Sequence, residues 1–182
     1  MRNLRYNVAA SLDGFIAGPG GEYDWIPEDP TFDFQALFNE FDTLIMGRKT
    51  YEALLAQGPG GLTEGMKRVV VSRTLSQAAH PEVTILGAGV AEAIASLKAA
   101  PGKDLWLFGG GELFRTLLEA DLVDAVELAL VPILLGGGIP LIMRGNRSRP
   151  FALEGSRILP SGIVMLRYST GVPRRPIQTA GA

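Results

Sequence analysis

The chain has 182 residues, 47% hydrophobic and 20% charged, which is enough to bury one sizeable core and is near the usual size of a single domain. Its formal net charge of -2 gives no overall attraction to nucleic acid or to an anionic membrane, so any anion site must come from local groups. With no cysteine and one histidine, the sequence excludes disulfides, thiolate nucleophiles and cysteine-ligated metal, and it argues against a dedicated zinc site.

Apolar runs and helical patterns alternate along the first two thirds of the chain. Strands are predicted at 4–10, 43–46, 68–71, 83–86 and 104–108, and helices at 49–56, Val90–Ala99 and 112–119. A further helix is predicted to begin at Asp29-Pro30, an N-cap followed by proline, with Phe34, Leu37, Phe38 and Phe41 at helical spacing. Because strands that alternate with helices pair in parallel, this part of the chain predicts an α/β sheet.

The pattern changes after Ala125, where strands follow one another without helices. They are predicted at 126–131, 151–158 and 163–169, and Pro160-Ser161-Gly162 between the last two is typical of a hairpin turn. We therefore expect an antiparallel C-terminal part, one domain over residues 1–170 and a flexible tail at 171–182 without a function. The sequence has no cleavable N-terminal segment and no apolar run near the roughly 18 residues of a membrane span, which predicts a cytoplasmic protein.

Two predicted strands end in glycine and run directly into helices. At the first junction, Gly47, Arg48, Lys49 and Thr50 combine a glycine, two cations and a hydroxyl at a helix N-terminus, where free N–H groups and the helix dipole attract phosphate. A capped helix with solvated Arg48 and Lys49 is the competing interpretation. The spacing of these residues leaves both open.

The second junction holds three consecutive glycines. They begin the segment Gly109-Gly110-Gly111-Glu112-Leu113, whose backbone can approach a pyrophosphate closely because no Cβ stands in the way. The competing interpretation is a tight turn, since the full G-x-G-x-x-G spacing is absent. Ser72 and Arg73 follow a third strand, where they either bind a phosphomonoester, present in NADPH and absent from NADH, or form a polar turn. Ligands of open α/β sheets bind beyond the carboxyl ends of strands, so the three segments predict one cleft.

The order of these segments resembles that of a known family. The matching motifs are, in chain order, Ser11-Leu12-Asp13-Gly14-Phe15-Ile16-Ala17, Met46-Gly47-Arg48-Lys49-Thr50-Tyr51-Glu52, Ser72-Arg73, Gly109-Gly110-Gly111-Glu112-Leu113 and Pro132-Ile133-Leu134-Leu135-Gly136-Gly137-Gly138-Ile139-Pro140-Leu141. Together they resemble the dihydrofolate reductase-like superfamily, and within it the C-terminal reductase domain of the bifunctional riboflavin-biosynthesis deaminase-reductase. The resemblance implies a three-layer α/β/α fold with a mixed, mainly parallel central sheet and an antiparallel C-terminal part.

The resemblance also implies a cofactor, NADPH, lying across the strand ends. Its implied contacts are Ile16 and Ala17 at the nicotinamide, Gly47, Arg48, Lys49, Thr50, Gly109, Gly110, Gly111, Glu112 and Leu113 at the pyrophosphate, and Ser72 and Arg73 at the adenosine 2′-phosphate. The implied reaction is that of a 5-amino-6-(5-phosphoribosylamino)uracil reductase, a hydride transfer to a small heterocyclic or imine/carbonyl substrate. Relatives in the riboflavin pathway are usually homodimers, and the antiparallel C-terminal strands offer an edge that a second copy would cover.

Two departures from the family patterns bear on the substrate. Folate-reducing members carry an acid on the first helix, and ungapped alignment from Gly47 puts Thr31 there, with Asp29 and Asp33 nearby. Either a gap brings Asp33 into that role or the substrate is not a pterin. The histidine, glutamate and paired cysteines of the deaminase half are absent as a pattern, so the chain corresponds at most to the reductase half.

The proton that accompanies hydride transfer has two candidate sources, Asp13 and water. Asp13 precedes a glycine beside the expected nicotinamide site, and its competing interpretation is a turn former. Catalysis of this kind depends mainly on orientation, so few catalytic side chains are expected. Two other functions fit the same segments: a dihydrofolate reductase-like or broad-specificity reductase, and a nucleotide-binding protein without catalysis.

Overall fold

Strands and helices follow one another in nearly the predicted order. The computed structural model describes residues 1–56, 58, 65–145 and 148–171, so the predicted tail, apart from Gly171, lies outside the described residues. The strands are β1 (Leu4–Ser11), β2 (Phe15–Ala17), β3 (Phe41–Gly47), β4 (Lys67–Val71), β5 (Thr84–Leu86), β6 (Asp104–Gly109), β7 (Ala125–Val131), β8 (Ile139–Pro140), β9 (Ala152–Ile158) and β10 (Val164–Ser169). The helices are α1 (Phe34–Phe38), α2 (Arg48–Ala56), α3 (Val90–Ala99) and α4 (Gly111–Glu119), with a short 3-10 helix at Gln77–Ala79.

Eight of the described strands form one mixed sheet in the order β5-β4-β3-β6-β1-β7-β10-β9, and β2 pairs with β8 separately. The first six of these strands run parallel, and β10 is antiparallel to β7 and β9. The antiparallel prediction is confirmed for the β9–β10 hairpin. It is also confirmed where β7 pairs with β10, and it is wrong on the other side of β7, which pairs in parallel with β1 because α4 carries the chain back across the sheet before β7 begins.

Helices cover both faces of the central strands. On one face, Ile45 and Leu107 pack with residues of α3 and α4. On the other, Leu44 and Trp106 pack with residues of α1 and α2. Because side chains alternate between the two faces of a strand, consecutive apolar residues in β3 and β6 serve two separate helix layers. The three-layer α/β/α prediction is confirmed.

Helix α1 begins later and is shorter than predicted. Its N-cap is Asp33, whose Oδ1 accepts the N–H of Ala36 at 2.9 Å. Phe41, predicted on the same helix, is the first residue of β3. The predicted cap at Asp29 is therefore wrong.

Asp29 has a different structural role because its carboxylate is buried. Its Oδ1 accepts the N–H and the hydroxyl of Thr31 at 2.9 and 2.5 Å, and its Oδ2 accepts the N–H of Ser161 at 2.9 Å. Hydrogen bonds from Thr31 and Ser161 hold the pKa of Asp29 well below its ordinary value. Asp29 thus fastens the loop before α1 to the β9–β10 turn.

A buried ion pair joins β1 and β7 near their amino ends. The side chain of Arg5 donates from Nε and Nη2 to the two carboxylate oxygens of Glu127, at 3.0 and 2.8 Å. Glu40 and Asp104 also face the Arg5 guanidinium. This bidentate geometry is the strong form of an arginine–carboxylate pair. The ion pair therefore joins β1 and β7 at the end of the sheet opposite the glycine junctions.

Candidate functional site

The carboxyl ends of β3 and β6 bring the two glycine junctions together. These strands are neighbours, with Met46 opposite Gly109. A Cβ added to Gly110 would lie 4.0 Å from the Gly47 nitrogen, and one added to Gly109 would lie 3.1 Å from Cγ2 of Thr50. Gly110 has a φ of +102°, a conformation that residues with side chains rarely adopt. The two junctions therefore lie side by side at the carboxyl ends of neighbouring strands.

Two helix N-termini converge on these junctions. Helix α2 starts at Arg48, directly after Gly47, with no acidic residue in its first turn. Helix α4 follows Gly110, an N-cap that provides no side-chain hydrogen bond. A Cβ added to Gly47 would meet no atom within 4 Å, so open space adjoins the N-terminus of α2, whereas the start of α4 at Gly111 lies close to the Pro140 carbonyl oxygen. Uncapped N–H groups and positive helix ends beside open space suit an anion.

The remaining predicted pyrophosphate contacts differ in their exposure. Arg48 and Lys49 are exposed, and Nη1 of Arg48 bonds to Oε1 of Glu52 one turn along at 2.7 Å. Glu112 is exposed, whereas Leu113 packs in the core. Lys49 therefore has its charge available, while that of Arg48 is partly balanced by Glu52.

The segment Ser72-Arg73 lies beside the first junction, because Val71 at the end of β4 is opposite Gly47. The buried Ser72 hydroxyl oxygen accepts the N–H groups of Thr74 and Leu75 at 3.2 and 3.1 Å, which matches the polar-turn interpretation. Arg73 is exposed. The turn therefore presents the guanidinium to solvent at the strand end.

Residues 134–141, which we call the strap, bound the site on a third side. The strap contains β8, which pairs with β2, the strand that carries Ile16 and Ala17. Gly138 packs so closely on Ala17 that an added Cβ would overlap the Ala17 carbonyl oxygen. A Cβ on Gly111 would lie 2.5 Å from the carbonyl oxygen of Pro140 in the strap. The strap thus links β2 to the second glycine junction.

Asp13 is a hydrogen-bond acceptor at the edge of this site. Its Oδ1 accepts the Ser11 hydroxyl at 2.7 Å and the N–H of Leu135 at 3.1 Å, and its Oδ2 accepts the N–H of Gly136 at 2.7 Å. The bond from Ser11, together with those backbone groups, lowers the pKa of Asp13 to about 2. A carboxylate that is ionised at neutral pH has no proton to donate, so this geometry argues against the proposed acid role.

The structure brings most of the predicted cofactor-binding segments together. The glycine junctions meet, Ser72 and Arg73 adjoin the first of them, and β2 reaches the second through the strap. Asp33 is exposed and uses one carboxylate oxygen as the α1 cap. The sequence reasoning missed the bridging role of the strap, although its glycine run at 136–138 was a signal of close backbone approach.

A cavity of about 430 Å³ lies at the other end of the sheet, near the amino ends of β1 and β7, and is lined by Arg5, Asp124 and Arg167 among others. Three of its charges are already paired: Arg5 binds Glu127, Asp124 lies 2.5 Å from Nζ of Lys98, and Nε of Arg167 lies 3.4 Å from Oε1 of Glu127. It therefore offers a ligand no unpaired charge among these groups. Within the residues described, no group of acidic and histidine side chains is arranged to hold a metal ion. No helix in those same ranges is long and apolar enough to cross a membrane.

Comparison with known proteins decides the family. The model of the RibD C-terminal domain matches residues 2–165. The chain belongs to the RibD C-terminal domain family. A solved structure described as a riboflavin biosynthesis protein, from Shewanella sp. PV-4, has the same fold with a TM-score of 0.79 and 30% identity. That match covers 93% of this chain and 98% of the Shewanella protein.

Two curated relatives differ in how much is known of them. YyaP of Bacillus subtilis, an uncharacterized protein, is 32% identical over an alignment that covers 92% of this chain and 94% of YyaP. The riboflavin biosynthesis protein RibD of Corynebacterium ammoniagenes is 30% identical over an alignment that covers 77% of this chain and 46% of RibD. This RibD domain therefore corresponds to about half of the longer riboflavin protein.

Proposed function

We propose that the chain is an NADPH-dependent reductase that transfers a hydride to a small heterocyclic or imine/carbonyl substrate. The observation that carries the proposal is the meeting of Gly47 and Gly110 beside the N-termini of α2 and α4. A pyrophosphate requires close backbone approach and positive potential, and this edge supplies both. Membership of the RibD C-terminal domain family supports a reductase. Among named activities, we favour 5-amino-6-(5-phosphoribosylamino)uracil reductase.

The residues of the site divide the binding of NADPH among them. The backbone at the glycine junctions and the side chain of Thr50 would hold the pyrophosphate, Arg73 the 2′-phosphate, and Ile16 with Ala17 the nicotinamide. When bound, NADPH supplies the hydride. The chain itself orients the reactants, because hydride transfer is fast only when nicotinamide and acceptor carbons are about 3–3.5 Å apart.

We infer that water supplies the accompanying proton. Asp13 is ionised and engaged by three hydrogen bonds, and Asp33 caps a helix. A solvent-derived proton is compatible with a site in which few side chains act as acids. It also separates this proposal from a folate-type reductase, in which Asp33 would be required.

The direct test measures NADPH binding by fluorescence titration and NADPH oxidation by absorbance. Substrates are the aminopyrimidine ribosyl phosphate, dihydrofolate and small carbonyl compounds. We expect NADPH binding and oxidation with the aminopyrimidine. Tight NADPH binding without oxidation across the panel would support a non-catalytic nucleotide-binding protein. Efficient dihydrofolate turnover that is lost in Asp33→Asn would support the folate-type alternative instead.

The preference for NADPH over NADH has its own test. Arg73→Ala removes the exposed guanidinium beside the first junction, and we expect about tenfold weaker NADPH binding, from one lost charge-assisted contact, with NADH unaffected. Lys103→Ala is the matched control, because it removes an exposed cation just before β6, at the end of the sheet away from the glycine junctions. Equal affinities for the two cofactors, unchanged by Arg73→Ala, would contradict the assignment.

We further propose that the protein is a homodimer that uses the exposed edge of β9. Leu153 and Ile158 on this strand are 52% and 75% exposed, which is high for apolar residues at a sheet edge. Sedimentation at micromolar concentration tests the proposal, and a monomer would exclude it. A cytoplasmic location stays a prediction from the sequence.

A further inference from the structure

The strap is fastened at both ends by different means. At its C-terminal end, the N–H of Leu141 donates to the Gly14 carbonyl oxygen at 2.8 Å, and the buried Tyr6 hydroxyl donates to the Leu141 carbonyl oxygen at 3.1 Å. At its N-terminal end, the side-chain acceptor is the carboxylate of Asp13. The two ends therefore depend on separate groups, and only one of those groups is charged.

The N-terminal end is the part of the strap that most needs an external restraint. Residues 136–138 are three glycines, and Gly136 and Gly138 have φ values of +71° and +148°. Glycine loses more conformational entropy on ordering than any other residue, so this run does not hold its shape by itself. The two hydrogen bonds from Leu135 and Gly136 to Asp13 supply the restraint at the point where the run begins.

Asp13 is itself held in place by Ser11, the last residue of β1. Ser11 is 1% exposed, and its hydroxyl donates to Asp13 Oδ1 at 2.7 Å. Oγ of Ser11 in turn accepts the N–H of Phe15 at 2.9 Å. Phe15 is the first residue of β2. One connected set of hydrogen bonds thus joins the end of the central strand β1, the start of β2 and the strap.

The strap in turn contacts the proposed nicotinamide site and the second glycine junction. Gly138 lies against Ala17, and the carbonyl oxygen of Pro140 lies against Gly111. A shift of the strap therefore moves atoms at the nicotinamide end and at the second glycine junction. The turn that carries Arg73 follows β4, which lies three strands away from β1 in the sheet.

We propose that Asp13 is a positioning residue whose carboxylate holds the strap against Ala17 and Gly111 and thereby sets the affinity of the site for the nicotinamide half of the dinucleotide. The proposal builds on the NADPH-dependent function proposed above. It assigns Asp13 no proton transfer. It predicts that removal of the carboxylate loosens one end of the strap while the adenosine end of the site is preserved.

The experiment compares Asp13→Ala, Asp13→Asn and the control Asp24→Asn, which alters an exposed acid in the segment that follows β2. Hydrogen exchange reports the amides of Leu135 and Gly136 without any ligand. Titrations report the affinities for NADPH and for 2′,5′-ADP, a probe that has the adenosine with its 2′- and 5′-phosphates and lacks the nicotinamide half. Asparagine retains one acceptor oxygen, so Asp13→Asn is expected to lie between the wild type and Asp13→Ala.

For Asp13→Ala we expect at least tenfold faster exchange at the two amides and about tenfold weaker NADPH binding, with 2′,5′-ADP affinity within about twofold of wild type. Exchange in β6 should be unchanged, which shows that the fold is intact. Unchanged exchange and NADPH affinity in Asp13→Ala would overturn the positioning role. Equal loss of both ligands would overturn its restriction to the nicotinamide end. If the wild type binds neither ligand, the proposed function fails, while exchange at Leu135 and Gly136 still decides whether Asp13 holds the strap.

Discussion

Substitution of Gly47 by alanine separates cofactor binding from stability. A Cβ at this position would meet no atom within 4 Å, and the residue does not have a positive φ, so the protein itself accommodates the methyl group. The proposed pyrophosphate does not, because it approaches the backbone through that space. Loss of one charge-assisted hydrogen bond, about 1.5–3 kcal/mol, raises the Kd about 10- to 150-fold.

The assay pairs NADPH titration at fixed ionic strength with thermal unfolding of the ligand-free protein. We expect Gly47→Ala to unfold within about 2 °C of wild type, which corresponds to less than about 1 kcal/mol for a chain of this size. Gly171→Ala, after β10, is the control, since an added Cβ there makes only an ordinary contact, 3.8 Å from Oγ of Ser169. Wild-type NADPH affinity in Gly47→Ala would refute the reasoning, because the pyrophosphate would then lie elsewhere.

Three further predictions concern stability. Gly111→Ala brings a Cβ to 2.5 Å from the Pro140 carbonyl oxygen and should destabilise the fold by about 1–3 kcal/mol in urea unfolding. Alanine is the better helix former, so a stabilised variant would contradict the close contact. Glu127→Gln leaves the buried Arg5 without its bidentate carboxylate partner and should lower the free energy of unfolding by about 3 kcal/mol. An unchanged free energy would mean that Glu40 and Asp104 are sufficient to balance the charge of Arg5. Because the folded pKa of Asp13, about 2, lies below the ordinary 3.8, its contribution is present above about pH 4 and declines as the pH falls toward 2. Urea unfolding between pH 6 and 3 should therefore show a shallower decline in Asp13→Asn, and identical slopes would exclude this linkage.

Local sequence patterns determined the elements and the two glycine junctions. Helix α3 has its predicted bounds, Val90–Ala99, because alanine-rich amphipathic segments specify a helix through their own spacing. Gly47 and Gly110 were identified from strand–glycine–helix order, which depends only on neighbouring residues. The family resemblance has the same basis, since its motifs are short and follow one another along the chain. The model of the RibD C-terminal domain, which matches residues 2–165, confirms it.

The roles of the polar side chains were decided by the tertiary structure. Asp13 was expected as a proton donor or a turn former, and its partners Leu135 and Gly136 lie 122 and 123 residues away. Asp29 was expected as a cap, and Ser161, which it binds, lies 132 residues away. The direction of β7 likewise depends on where α4 returns the chain. The sequence by itself determined most of the elements and the glycines at their ends, because these are local properties, whereas the short paired strands β2 and β8 were not predicted. Only the fold determined which acids are held by hydrogen bonds, because a carboxylate's partners are set by packing between segments that are remote in sequence.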